Sequence, residues 1–276
     1  MTLRVTFLAE PGDPHDLAAR GDGGDAPDLV VATGRHSAAR LRDLPDAPHA
    51  LLLMDLDDRS LPAGSAEAAA AAAVYALPLP VLVPARWMAE QLTQLRDPGA
   101  PAARVVRPGL DHDVFAAAAA PARDDTRQLR VLVLGADGAD RDAALAAANA
   151  MREPALVRHL DPATVAPEQR AQAYAEADVV LTLERVAGLP RAPLEAFAGG
   201  ATAVATPVTG LDEYLVDGRN GLLASWDDER GTSRLLDLLA RDRALLHAMR
   251  TAAWETARAW PATDAALAAA LLEVAA

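Results

Sequence analysis

Cysteine is absent from the 276 residues, which excludes disulfides, thiolate metal sites and a cysteine nucleophile. Lysine is absent as well, so every basic side chain other than histidine is an arginine and a catalytic lysine is ruled out. Aromatic residues make up only 4% of the chain, and no apolar run approaches the ~18 residues of a membrane span. Positive charge is also in deficit. Against 26 arginines stand 39 acidic residues, a formal charge of -13, and this balance argues against a general nucleic-acid-binding surface. The opening stretch Met1-Thr2-Leu3-Arg4-Val5-Thr6-Phe7-Leu8 is too short for a signal peptide, so a cytoplasmic location is the expectation.

What is present is enough apolar material for ordinary cores. Hydrophobic residues account for 51% of the chain and charged residues for 24%. At ~100–200 residues per domain the length suits two lobes or one large one. Short β-branched or Leu-rich runs occur at Val5–Leu8, Leu29–Ala32, Ala50–Met54, Val81–Val83, Val105–Val106, Val131–Leu134, Val179–Leu183, Ala203–Ala205 and Leu222–Ala224. Helix-length or loop-length segments separate most of them, the pattern of α/β units around a parallel sheet. The stretch from Arg107-Pro108-Gly109 to Gln128 carries prolines, an Ala tract and mixed charge, and reads as a hinge. Beyond it the spacing predicts a strand at 129–134, helices at 140–151 and 167–176, a strand at 178–183, a helix at 192–198 and a strand at 202–206. The expected division is a lobe at 1–108, a linker at 109–128, a second lobe at 129–258 and a final helix within 259–276.

The segment Val186-Ala187-Gly188-Leu189-Pro190-Arg191-Ala192-Pro193-Leu194-Glu195 follows a buried strand and enters a helix with Pro193 in its first turn. Such a junction points free backbone amides and the positive end of the helix dipole at the crevice above the sheet, where an anion fits. Glu195 suits two roles on spacing alone: accepting hydrogen bonds from vicinal ribose hydroxyls, or complementing the helix N-terminus. Both stay open. Glu184, at the strand end, is either a group reaching the pocket or a solvated terminal charge. Gly135-Ala136-Asp137-Gly138 is neither a GxGxxG nor a phosphate-binding loop with Gly-Lys-Ser/Thr. No Gly-x-Ser-x-Gly elbow occurs, so a serine hydrolase lacks its nucleophile turn. The acidic clusters Asp55-Leu56-Asp57-Asp58 and Asp227-Asp228-Glu229 lack spaced histidine partners and read as solvated loop charge rather than a divalent-ion site.

Leu194-Glu195-Ala196-Phe197-Ala198-x-Gly200, followed by Ala203-Val204-Ala205-Thr206-Pro207-Val208-Thr209-Gly210-Leu211-Asp212-Glu213-Tyr214 and Asp217-Gly218-Arg219-Asn220-Gly221, resembles the donor-binding lobe of glycosyltransferase family 4. Those are retaining enzymes of GT-B fold, with two Rossmann-like α/β lobes facing each other across a cleft. Upstream, Pro84-Ala85-Arg86-Trp87-Met88 and Val106-Arg107-Pro108-Gly109-Leu110-Asp111-His112-Asp113-Val114-Phe115 are similar to the end of that family's first lobe.

The resemblance implies a reaction: transfer of a sugar from a nucleoside-diphosphate sugar, the co-substrate, to an acceptor hydroxyl, with no further cofactor and no metal. Glu195 matches the second glutamate of the family's Glu-x7-Glu motif, which holds the donor ribose. Gly188 matches the loop glycine that lets the diphosphate approach the backbone, with Leu189 and Pro190 beside it. Thr209, Gly210 and Leu211 fall where the next loop borders the donor, and Gly135 where the first strand of that lobe ends. The acceptor, whether polysaccharide, glycolipid or small molecule, is not read from the sequence.

This chain also departs from the family. Ala187 stands where the first glutamate belongs, leaving Glu184 as the nearby carboxylate. Ala136 occupies the position of an expected arginine, so Arg141 and Arg191 are the candidates for offsetting diphosphate charge. The first lobe is reduced, with Glu10-Pro11-Gly12-Asp13-Pro14 the sole counterpart of its glycine-rich turn, and His15 and His36 are its acceptor-side candidates. A catalytically degenerate protein that binds a nucleotide or a partner without turnover therefore stands as the alternative.

Overall fold

A computed structural model describes residues 3–8, 27–44, 47–116, 127–262 and 265–275. It divides into two compact units, Met1–Pro108 with Asp264–Ala276, and Gly109–Thr263.

In the first unit β1 (Val5–Leu8), β2 (Leu29–Ala32), β3 (His49–Leu52), β4 (Val81–Val83) and β5 (Arg104–Val105) form a parallel sheet in that spatial order. Each strand lies next to its predecessor, and right-handed crossovers that step the same way place the described connecting helices on one face. There α1 (Arg35–Ala39), α2 (Ala66–Tyr75) and α3 (Arg86–Leu95) bury Ala38, Val74, Tyr75, Met88 and Leu92 against Val30, Ala32, Leu51, Val81 and Val83. Alternation along the strands sends Leu29, Val31, Ala50 and Leu82 to the other face, away from the described crossover helices. The last helix of the chain, Ala265–Ala275, covers it with Ala270 and Leu271, and Glu273 pairs with Arg104. Apolar burial of both faces explains why these strands read as continuous hydrophobic runs. Replacing Leu271 with alanine is expected to cost this unit about 2 kcal/mol and to speed hydrogen exchange at the β2 amides. Unchanged protection there would show that the helix contributes nothing to holding the sheet.

The second unit begins with α4 (His112–Phe115), capped by Asp111, whose carboxylate accepts from the amides of Asp113 and Val114 at 3.1 Å each. Leu110 and Phe115 are buried in this unit's core, so residues 109–116 pack as part of it rather than as linker; residues 117–126 of the expected linker lie outside the described residues. Its strands β6 (Leu129–Leu134), β7 (Ala155–Leu160), β8 (Val179–Thr182), β9 (Thr202–Ala205) and β10 (Gly221–Leu223) are all parallel, in the order β10-β9-β8-β6-β7. Helices α5 (Ala139–Asn149), α6 (Pro167–Glu176), α7 (Ala192–Ala198), α8 (Glu229–Arg241) and α9 (Arg243–Arg258) cover both faces. The chain moves outward from β6 to β7 and then returns across β6 to β8. That reversal creates a topological switch point at the carboxyl ends of β6 and β8.

β7 is the strand that the run of apolar residues does not reveal. It sits at the sheet edge, where Arg158 and His159 interrupt the run and Leu156 is 56% exposed. Asp178, at the start of β8, is fully buried and pairs with Arg127, Arg130 and Arg250. Through Arg250, whose Nε donates to the Gly200 carbonyl at 2.7 Å, it ties α9 to the base of the sheet.

Candidate functional site

At the switch point a cavity of about 470 Å³ opens between the loop Gly135–Arg141 and the strand end Leu183–Val186. The loop leaves β6 through Gly135 and enters α5, whose N-terminus presents its dipole and first-turn amides to the same space. His159, from β7, holds the turn with its Nε2 donating to the Gly135 carbonyl at 2.8 Å. Three of the expected residues, Gly135, Arg141 and Glu184, thus come together around one cavity.

The charge there is balanced toward the acids. Arg141 is held by Asp137 and, through Nε at 2.9 Å, by Asp142. Arg185, the second guanidinium of the cavity, pairs with Asp140 at 3.1 Å and Asp227 at 2.5 Å. Glu184 lies beside them half-buried; desolvation first, and the neighbouring Asp140 second, raise its carboxyl above the usual carboxylate value.

The loop after β8 is fastened to the loop after β9. Thr206 Oγ1 donates to the Glu184 carbonyl, Thr209 Oγ1 to the Ala187 carbonyl at 3.0 Å, and Tyr214 Oη to the Pro190 carbonyl at 2.5 Å. Burial pushes the Tyr214 phenol up, so it remains a protonated donor. Gly210 closes the contact. Its φ of 81° is left-handed, and a Cβ built there would stand 2.2 Å from the Gly188 carbonyl oxygen. Gly188 itself is not among the glycines with positive φ, so the permissive residue in this junction is Gly210. The side chain of Leu211 belongs to the core, 2% exposed, and its amide donates to the Val208 carbonyl. Leu189 packs partly buried against the same core.

Glu195 lies in the first turn of α7 and is 5% exposed. Its Oε2 accepts from Arg170 Nε at 3.2 Å, and Arg191 Nε stands 4.0 Å from Oε1. Burial raises the Glu195 carboxyl, and Arg170, then Arg191, oppose that shift. Arg170 also donates to the carbonyls of Pro162 and Val165 and lies over the Phe115 ring at 5.4 Å. Arg191 turns its Nη2 to the Gly109 carbonyl at 3.0 Å. Glu195 therefore neither faces bulk solvent nor lines the switch-point cavity, and it already has a cationic partner. Spacing does not disclose Arg170, 25 positions upstream on another helix, nor the fastening roles of Thr206, Tyr214 and His159.

In the first unit His36 is exposed on α1, one residue before Ser37, whose Oγ accepts from the amides of Thr33 and Gly34 at 3.0 and 2.9 Å. His15 and the Glu10-Pro14 turn lie outside the described residues. The two acidic clusters have structural work. Asp58 accepts from the Tyr75 hydroxyl, Asp55 pairs with Arg59, Asp227 pairs with Arg185, and Asp228 caps α8. Among the described residues no helix is long and apolar enough to cross a membrane.

Two parallel-sheet α/β units, the second with a helix start at its switch point, define a protein of the GT-B glycosyltransferase class. A sucrose-phosphate synthase from Thermosynechococcus elongatus superimposes with a TM-score of 0.74 at 17% identity, covering 93% of this chain and 75% of that one. The Anabaena HepE protein, solved with UDP and glucose, gives 0.72 at 15%, covering 90% and 78%. Staphylococcus aureus TarM, solved with UDP among its ligands, gives 0.65 at 9%, covering 90% and 55%. The model of the family described as glycosyl transferases group 1 matches residues 102–241, half of the chain, and the protein belongs to that family. No curated protein sequence matches it.

Proposed function

We propose that the chain transfers a sugar from a nucleoside-diphosphate sugar to an acceptor hydroxyl with retention at the anomeric carbon. The C1–O bond to the diphosphate breaks, its electron pair leaves with the nucleotide, and the acceptor oxygen, passing its proton to the departing diphosphate, bonds C1 on the same face. The observation that carries this reading is the switch-point cavity, where a glycine turn, a helix N-terminus and the half-buried Glu184 carboxylate meet. The diphosphate would lie over the Gly135–Gly138 turn, its charge taken by α5, Arg141 and Arg191. Glu184 would stand in for the glutamate absent at Ala187, and Glu195 would turn from Arg170 to the ribose. Gly188, Leu189, Pro190, Thr209 and Gly210 would form the wall beside it. His36 is proposed to contact the acceptor.

Incubation with UDP-, GDP- and dTDP-sugars, reading release of the nucleotide diphosphate, tests the proposal; turnover of at least one donor is the expected result. The second reading, a protein that binds nucleotide without turnover, is favoured by a specific observation: Arg141 and Arg185 are both neutralised by aspartates. Nucleotide binding with no release from any donor would establish it.

Glu184→Gln separates the groups further. Turnover is expected to fall about tenfold or more with donor affinity little changed. Because the folded-state carboxyl titrates above its unfolded value, its contribution to stability is full at low pH and is lost as pH rises through the raised value. The glutamine variant does not titrate, so its melting temperature should gain on the wild type as pH rises through that range. A constant difference across pH would refute the burial argument.

A further inference from the structure

Positive charge gathers on one face of α8 in an otherwise acidic chain. Arg230, Arg234 and Arg241 are spaced four and seven residues apart, which sets them on one side of the helix. Arg152 joins them from the turn between α5 and β7, and the four border a surface cavity of about 430 Å³ floored by Ser233 and Asp237. Asp237 is 3% exposed, and its Oδ1 is spent on the amides of Arg152 and Glu153, at 2.9 Å each. Its effect is to fasten that turn to α8, holding Arg152 opposite the helical row. Arg241 is partly satisfied: its Nε donates to the Asp237 carbonyl at 3.2 Å and stands 3.7 Å from Glu153. Among the described residues no carboxylate lies within ion-pair distance of Arg152, Arg230 or Arg234. Like charges four apart on a helix repel and lower stability. In a chain with 39 acidic residues, leaving them unneutralised around a formed cavity calls for an anion.

We propose that this cradle binds a phosphate group. A compact tetrahedral dianion offers acceptor oxygens in several directions, matching guanidinium groups that approach from the helix on one side and the turn on the other. The cavity shares no lining residue with the one at the switch point, so its ligand does not compete with a donor nucleotide there. The phosphate belongs either to a soluble phosphorylated compound or to a lipid headgroup, and the two sources are distinguished by experiment.

Calorimetric titration of the full chain with inorganic pyrophosphate at low ionic strength should show binding that weakens with added salt. Arg230→Ala/Arg234→Ala should lose about tenfold or more in affinity, whereas Arg104→Ala, in the first unit, should retain it. The double variant removes a like-charge pair, so its melting temperature without ligand should not fall, which separates lost binding from lost folding. In parallel, flotation with phosphatidylcholine vesicles with and without phosphatidic acid reads the lipid source. Recovery only with phosphatidic acid, in the absence of pyrophosphate binding, assigns the headgroup, and pyrophosphate binding without flotation assigns the soluble ligand. Binding of neither probe, or equal binding by the double variant, overturns the proposal. Sugar transfer is not read in any arm, and the double variant leaves the switch-point cavity intact, so loss of binding in it reports this cradle and not the donor site.

Discussion

Gly210→Ala is expected to destabilise the second unit by about 3 kcal/mol and to abolish measurable nucleotide binding. Two costs combine at this position. The residue holds φ at 81°, which a side chain with Cβ adopts only under strain, and the added methyl would stand 2.2 Å from the Gly188 carbonyl oxygen and 3.2 Å from Leu189 Cα. Neither neighbour is the movable end of a side chain, so relief requires shifting the backbone of the loop after β8. That loop carries the proposed donor wall. Gly218 supplies the control, since its φ is 74° but nothing lies within 4 Å of a built Cβ. Gly218→Ala should therefore cost only the conformational part, about 1 kcal/mol. Chemical denaturation of both variants decides the matter. If Gly210→Ala costs no more than Gly218→Ala, the contact between the two loops does not restrain the site.

Glu195→Ala should be the other severe change. It leaves Arg170, whose side chain is 19% exposed, directed at a pocket without its carboxylate, and a broken buried pair of this kind costs about 3 kcal/mol. Stability alone would not identify a ligand contact, so the informative variant is the double replacement Arg170→Met/Glu195→Gln. Removing both charges should restore most of the stability, because the desolvation of each ion disappears with it. Nucleotide affinity should stay low, since a neutral amide accepts hydroxyl hydrogen bonds more weakly than a carboxylate. Recovery of affinity together with stability would show that Glu195 is structural and would remove it from the ribose.

The segments of the second unit were readable in order along the chain, whereas the contacts among them were not. Strands β2, β4, β6 and β8 stand out because parallel strands buried on both faces must be apolar at nearly every position. β7 does not, because an edge strand satisfies its exposed side with Arg158 and His159. The run from Leu194 to Gly200 and the turn at Thr209-Gly210 mark a glycosyltransferase lobe from residue types alone. Their spacing is silent on Glu195 being claimed by Arg170, on both cavity arginines being paired with aspartates, and on Tyr214 pinning Pro190.

The reason is the range of the forces involved. Hydrophobic periodicity is a local property, written within each helix or strand, so the amino-acid order by itself determined the α/β alternation, the second lobe's family and the absence of cysteine and lysine chemistry. Ion pairs and buried hydrogen bonds join residues tens of positions apart, and their partners exist only after the strands have taken the order β10-β9-β8-β6-β7. Which carboxylates remain open to a ligand, which face of the first sheet the last helix covers, and where four arginines converge were decided by tertiary packing, because each depends on what a side chain meets rather than on what precedes it.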